Sequence, residues 1–271
     1  MKPTSPTKVV VAGAGGKMGR TLISLALRDK SFRLAGAFER PDSSVLGQDV
    51  GFLAGVEPQG TFVVSSLESV IEGTHAVIDF TSPKATLEHA EMCAKYKKGI
   101  VIGTTGFSPK EEAHLKKIAT KIPIVKAPNM SLGVNLLFKL SFLLAAQLGD
   151  DYDVEIVEAH HRHKKDAPSG TALELARQVA EGRKVDLFAY SIYGRKGITG
   201  ARKKGTIGIH AVRGGDVVGE HTVSFMADGE RIELTHKASS REAFGRGALF
   251  AAHFLRQKKS GLYSMRQVLA I

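Results

Sequence analysis

Short apolar runs alternating with helical stretches dominate the first half of this chain, and no other feature narrows the fold as much. Residues 8–12, 33–38, 62–65, 76–80, 100–102 and 122–125 read as strands. Between them, residues 18–28, 84–96 and 109–120 read as helices. Strands so short and so apolar are buried on both faces, which calls for a parallel sheet covered by helices. Right-handed crossovers then give an α/β, Rossmann-like doubly wound parallel sheet.

The rhythm changes after Pro128. A long apolar helix is expected over 131–148, with Ser131 as its cap. A strand at 154–158, a helix over 169–181 and alternating runs at 206–212, 217–227 and 230–238 follow. Asp228-Gly229 marks a hairpin between the last two. This half reads as a central α+β domain with a mixed open sheet. A final helix over 241–256 is expected to return to the first domain.

Composition excludes several classes. Cys93 is the only cysteine among 271 residues, so no intrachain disulfide forms and a reducing compartment is expected. Residues 1–8 lack an apolar signal core, and the longest apolar stretch is broken by Ser141 and Gln147. The expectation is a cytoplasmic protein with no membrane span. A net charge of +11 raises the question of nucleic acid. Yet residues 160–204 hold eleven Lys/Arg against four Asp/Glu, interleaved with Gly and Pro and without a stacking platform. A pocket for a small polyanion accounts for that surplus better, so no nucleic-acid partner is expected.

Two segments carry chemistry. Gly13-Ala14-Gly15-Gly16-Lys17-Met18-Gly19 lies between the first strand and the first helix. Gly13 allows the tight turn, Gly15 or Gly16 lets the backbone approach a pyrophosphate, and the helix N-terminus faces the anion. Met18 occupies the usual third glycine position, so the fingerprint is better spaced as Gly13, Gly16 and Gly19. Glu39, at the end of the second strand, can accept from the adenosine ribose hydroxyls and favours NAD, whereas Arg40 can pair with a 2′-phosphate and favours NADP. The turns Gly103-Thr104-Thr105 and Ala127-Pro128-Asn129-Met130 end later strands and read as the floor beside the nicotinamide.

The second segment runs Glu158-Ala-His160-His161-Arg162-His163-Lys164-Lys165-Asp166-Ala-Pro-Ser169-Gly170-Thr171-Ala172. It reads as a strand-to-helix loop, because unpaired burial of its charges would cost several kcal/mol each. Ser169-Gly170-Thr171 opens a helix, and its N–H groups with the Thr171 hydroxyl form an anion nest. His160 or Lys164 suits a general acid, since neighbouring cations make each release its proton more readily. Arg162 is too basic for that task. A zinc site is not expected, because the histidine cluster lacks a second ligand group and Arg162, Lys164 and Lys165 would repel a cation. His163 and Lys165 receive no chemical role, and His210, His221 and His236 read as satisfied sheet residues.

Together these motifs, with Gly205-Thr-Ile-Gly208, Arg213-Gly-Gly-Asp-Val-Val-Gly-Glu-His221 and Thr235-His-Lys-Ala-Ser-Ser-Arg241, resemble the 4-hydroxy-tetrahydrodipicolinate (dihydrodipicolinate) reductases of the diaminopimelate route to lysine. The resemblance implies a dinucleotide-binding domain over 1–130, completed by 241–271, and a substrate-binding and oligomerisation domain over 131–240. It implies NADH- or NADPH-dependent reduction of a small cyclic dicarboxylate imine by a homotetramer, without a metal. His160 and Lys164 correspond to the proton-handling positions, and His161, Gly170 and Thr171 to substrate contacts. Gly13, Ala14, Gly15, Gly16, Lys17, Met18, Glu39, Arg40, Gly103, Thr104, Thr105, Ala127, Pro128, Asn129 and Met130 correspond to nucleotide contacts. One departure is Ser82, where some members carry an Arg that can reach the nucleotide; Lys84 is the nearby cation that could substitute.

Overall fold

The computed structural model describes residues 5–271, so the start of the leading 1–8 segment lies outside the described residues. In chain order the first unit supplies β1 (Thr7–Ala12), α1 (Lys17–Arg28), β2 (Phe32–Phe38), α2 (Val50–Ala54), β3 (Val63–Val64), β4 (Ala76–Asp79), α3 (Pro83–Lys95), β5 (Gly99–Ile102), α4 (Pro109–Ala119) and β6 (Pro123–Lys126). Next come α5 (Leu132–Leu148), β7 (Asp153–His160), α6 (Gly170–Arg183), α7 (Leu187–Tyr190), β8 (Ser191–Tyr193), β9 (Ile207–Arg213), β10 (Gly219–Ala227) and β11 (Glu230–Ala238). The chain then adds α8 (Glu242–Leu255), β12 (Gly261–Tyr263) and α9 (Met265–Leu269) to the first unit. That unit runs to Leu132 and resumes over Arg241–Ala270, while the second holds Gly133–Ser240.

The first unit contains a seven-stranded sheet ordered β12-β6-β5-β4-β1-β2-β3. Every pair in it is parallel. Strand side chains alternate, so one apolar run feeds two cores. Val9 and Val11 pack on one face with Leu22 and Leu25 of α1 and Ala248 and Ala252 of α8. Val10 and Ala12 pack on the other with Ala90 and Cys93 of α3 and Leu115 of α4. Because β1 lies between β2 and β4, the winding reverses there and leaves a crevice at the carboxyl ends of the strands.

The second unit contains a mixed sheet ordered β11-β10-β7-β9-β8. β7 and β8 pair parallel to β9, whereas β10 is antiparallel to both β7 and β11. Val154, Ile156, Ile207, Ile209, Val223 and Phe225 form a core with Val134 and Leu137 of α5 and Leu175 and Val179 of α6. From alternation, Val157 and Val212 belong to the opposite face, and both remain exposed. The stretch Leu132–Asp151 is long and apolar enough to cross a membrane by length and composition. Within this unit its Val134, Leu137, Phe138 and Ala145 instead fill the core.

Strand β7 extends two residues beyond the expected end, to His160. Its partners explain the extension, since β9 and β10 pair with it as far as His160 and Ala159 respectively. The elements α2, α7, β8, β12 and α9 fall in stretches that the sequence pattern leaves as connections. All are five residues or fewer, too short to show a period.

Candidate active site

The glycine turn after β1 is shaped by backbone proximity. Gly13 has φ of +68°, a conformation side chains resist. Its carbonyl accepts from Gly16 N–H at 3.0 Å. A Cβ on Gly19 would stand only 2.0 Å from that carbonyl oxygen. Gly13, Gly16 and Gly19 therefore set the turn, while Met18 packs partly buried against the core. Gly16 is the N-cap of α1 and offers no capping side chain, which leaves the helix end open to an anion.

Glu39 is fixed where β2 ends. Its Oε2 accepts from Gly15 N–H at 3.0 Å and its Oε1 from Arg40 N–H at 3.0 Å. Each carboxylate oxygen can take a further donor, such as a ribose hydroxyl. The Arg40 side chain pairs with Asp42 at 3.2 Å in an exposed contact, which a stronger anion would displace at little cost. Gly13, Glu39, Arg40, Ser82 and His89 line one cavity of about 470 Å³. Lys84 lines a separate groove with Glu91 and His114.

The other two turns end β5 and β6 at the same edge of the sheet. A Cβ at Gly103 would lie 2.1 Å from the Phe80 ring, so glycine lets the turn close on that ring. Thr104 is buried, and Thr105 is exposed. In the 127–130 turn, Asn129 Oδ1 accepts from Ser131 N–H at 2.9 Å. Met130 is buried, and its carbonyl would be 1.7 Å from a Cβ on Gly247. Helix α8 thus buttresses this turn through a glycine.

In the second unit the apolar face of the mixed sheet turns ionisable near the N-terminus of α6. The register that puts Val154 and Ile156 in the core puts Glu158 and His160 on the same face. Paired strands add His221 opposite Glu158 and Arg213 opposite His160. Glu158 is fully buried yet fully engaged. Arg213 grips both of its oxygens at 2.7 and 2.8 Å, Ser169 N–H donates at 2.9 Å, and His160 Nδ1 lies 2.6 Å away. The expectation that Glu158–His160 belong to a loop is therefore corrected. Paired charges tolerate the strand, and the loop proper begins at His161.

Electrostatics follow from these contacts. Burial works to raise the Glu158 pKa, but Arg213, His160 and Ser169 outweigh it and hold the carboxyl below its ordinary value. For His160, burial lowers the pKa, Glu158 opposes the fall, and Lys164 and Arg213 add to it, with a net shift downward. The imidazole is thus neutral near pH 7, with its hydrogen on Nδ1 toward Glu158 and a bare Nε2. A Cβ at Gly219 would lie 3.1 Å from that Nε2, so glycine keeps the nitrogen uncrowded.

His221 is more than a satisfied sheet residue. Its ring meets His160 edge-on at 5.2 Å. Ser169 Oγ accepts from Ala172 N–H and lies 3.1 Å from His221 Nε2. Burial, and next the neighbouring His160, push the His221 pKa down to about 4. His221 Nδ1 and His161 Nδ1 are buried without a hydrogen-bond partner among the described residues. His210 does behave as expected, with Nε2 2.6 Å from Glu155.

The anion nest is narrower than expected, because Ser169 N–H is committed to Glu158. Gly170 and Thr171 are the next two residues of the helix opening. Lys164 is one-fifth exposed and pairs with the exposed Asp166 at 2.9 Å. The basic surplus over 160–204 also divides. Arg195 and Arg202 bind Glu155, Lys204 binds Asp151, and Arg183 reaches the Tyr152 carbonyl. Arg195 and Arg202 thereby secure strand β7, and with Lys196 and Lys203 they also line a cavity of about 340 Å³. Glu158, Arg213 and His221 were not recognised as site residues from sequence. The usable signal was their parity with His160 along paired strands.

Two family models match almost the whole chain. One, described as the N-terminus of dihydrodipicolinate reductase, matches residues 7–130, and one described as its C-terminus matches residues 133–269. A curated 4-hydroxy-tetrahydrodipicolinate reductase from Saccharophagus degradans is 49% identical over 98% of this chain and 99% of its own length. Among solved structures, the dipicolinate-bound dihydrodipicolinate reductase from Paenisporosarcina sp. TG-14 superposes with a TM-score of 0.75 at 26% identity, covering 96% of this chain and 97% of that one. An engineered D-amino acid dehydrogenase bound to NADP+ shares the fold alone, with a TM-score of 0.54 at 15% identity over 96% of this chain and 93% of its own.

Proposed function

Because this chain belongs to the dihydrodipicolinate reductase family, we propose that it reduces 4-hydroxy-tetrahydrodipicolinate, via dihydrodipicolinate, to tetrahydrodipicolinate in the diaminopimelate route to lysine. It is an oxidoreductase that uses a nicotinamide dinucleotide and acts on a cyclic dicarboxylate. The dinucleotide fits the residues present, as the Gly13–Gly19 approach leaves the start of α1 open beside the cavity lined by Glu39 and Arg40. Gly13, Ala14, Gly15, Gly16, Lys17 and Met18 would hold the pyrophosphate, Glu39 and Arg40 the adenosine ribose, and Gly103–Thr105 with Ala127–Met130 the nicotinamide. With Glu39 for the hydroxyls and Arg40 for a 2′-phosphate, both NADH and NADPH serve.

When bound, the dihydronicotinamide would supply hydride to a ring carbon conjugated with the substrate's carbon–nitrogen double bond, leaving an enamine. The protein's own residues then handle protons and charge. Gly170, Thr171 and the unpartnered Nδ1 of His161 receive a substrate carboxylate through charge-assisted bonds worth roughly 1.5–3 kcal/mol each. Lys164 leaves its weak pairing with Asp166, adds a cation and donates a proton. His160, oriented by Glu158, is neutral at rest, and a doubly negative substrate beside it raises its proton affinity. It can therefore take up a proton and return it to the developing enamine. The observation that carries this reading is the Glu158–His160 contact at the start of α6, where one imidazole nitrogen is held and the other left bare. A cytoplasmic homotetramer belongs to the same proposal, and the exposed Val157 and Val212 support an association surface on the mixed sheet.

The test is reduced-nicotinamide absorbance with the freshly generated condensation product of pyruvate and aspartate semialdehyde. Oxidation of both NADH and NADPH is expected. No turnover with either nucleotide would overturn the assignment.

A further inference from the structure

The most heavily bonded side chain in the first unit that no step above uses is Asp79. It ends β4 and has no solvent exposure. Its Oδ1 accepts from Thr81 N–H at 2.8 Å, Thr81 Oγ1 at 2.7 Å and Thr86 Oγ1 at 3.1 Å. Thr104 Oγ1 stands 3.5 Å from the same oxygen and 2.9 Å from Thr86 Oγ1. The other oxygen, Oδ2, lies 2.6 Å from His89 Nδ1. One carboxylate therefore joins the ends of β4 and β5 to the first turns of α3.

The two oxygens serve different places. Thr104 lies in the turn after β5, assigned above to the nicotinamide, and Thr81 packs against Gly13, 2.9 Å from where a Cβ there would stand. His89 lines the cavity with Glu39 and Arg40, its ring edge-on to Phe38 at 4.8 Å. A carboxylate only accepts, so His89 Nδ1 carries the hydrogen toward Asp79, and Nε2 lies on the opposite side of the ring.

We infer that Asp79 is a positioning residue serving both ends of the nucleotide cleft at once, Oδ1 through the threonines and Oδ2 through His89. This rests on the nucleotide placement proposed above. The two halves separate by substitution. In Asp79→Asn the amide oxygen still accepts from Thr81 and Thr86, but the amide nitrogen cannot accept from His89. The imidazole then loses the acceptor that fixes its Nδ1 hydrogen, so the ring lining the cavity is no longer held in that orientation. Thr86→Val instead removes the hydroxyl joining Asp79 to Thr104 and leaves His89 untouched.

Calorimetry on the full chain with two fragments, ADP-ribose for the adenosine end and nicotinamide mononucleotide for the other, reads the halves apart. Asp79→Asn should weaken ADP-ribose about fivefold to tenfold and the mononucleotide by less than about twofold, and Thr86→Val should do the reverse. Asp79→Ala should weaken both, and if it fails to fold the two conservative variants suffice. Equal losses on both fragments, or no loss, in Asp79→Asn and Thr86→Val would overturn the inference. His89→Ala and Thr104→Val keep the underlying placement separate. Should neither alter binding of its own fragment, the nucleotide placement itself fails. If both do while Asp79→Asn does not, only the role of Asp79 falls.

Discussion

The residue whose surroundings say most is Glu158, a buried carboxylate that sequence reading treated as the edge of a loop. It fixes which nitrogen of His160 is bare, and Arg213 and Ser169 hold it while it does so. Two substitutions separate these tasks. His160→Gln removes the imidazole and should lower kcat about 10²–10⁴-fold, with dinucleotide affinity unchanged. Glu158→Gln keeps the ring but not its orientation, and should lower kcat about tenfold to a hundredfold. It should also lower stability, toward the lower end of the roughly 3–5 kcal/mol typical of broken buried pairs, because Arg213 is one-fifth exposed. Stopped-flow turnover with urea denaturation checks both, and an unchanged rate in either variant would remove that residue from the chemistry. His160 and Lys164 stand out in the sequence as candidates because their types declare chemistry. Glu158, Arg213 and His221 do not, because their part depends on strand pairing that joins residues 53 and 63 positions apart.

At the scale of elements, the turn–helix junctions carry the design. The six strands β1 to β6 were readable because each is a short apolar run, and α1 because its glycines precede a helical pattern. Met18 at the usual third glycine position blurred the fingerprint, and contact resolves it, since Gly19 is the residue pressed on Gly13. Gly19→Ala should push α1 away from the turn and weaken NADH or NADPH binding by at least about tenfold, since a Cβ cannot sit 2.0 Å from a carbonyl oxygen. Fluorescence titration of the reduced nucleotide checks this, and parent-like affinity would mean the turn is not the anion site. Edge strands β8 and β12 escaped sequence reading for a different reason. Three residues gain strand structure only from a ready-made neighbour, β9 for one and β6 for the other.

For the molecule as a whole, acid sensitivity should appear in two windows. His221 has its folded pKa lowered to about 4, so the unfolded chain binds the extra proton first. Stability is therefore full above the ordinary imidazole pKa of about 6.5 and declines as pH falls toward about 4, by about 3 kcal/mol from this residue. Glu155, whose pKa is held down to about 2 because Arg195, His210 and Arg202 outweigh its burial, acts lower. Its contribution is present above the ordinary carboxylate range and fades as pH falls through about 2. Thermal melts from pH 7.5 to 4 should therefore drop less steeply for His221→Gln than for the parent chain. Parallel curves would refute the low imidazole pKa. The net charge of +11 showed that cations abound but not their employment, which depends on Glu155, itself accommodated because Gly208 has no side chain.

The ionisable patch on the mixed sheet grows from the same strands as the apolar core, a few residues further along each. The imidazole proposed to handle protons is in effect bolted to the foundations, whereas the segment from His161 to Pro168 belongs to no strand or helix. Laboratory evolution toward bulkier ring acids should accordingly gather its changes at the positions of that segment other than His161 and Lys164. The rooted groups would pass through such selection intact.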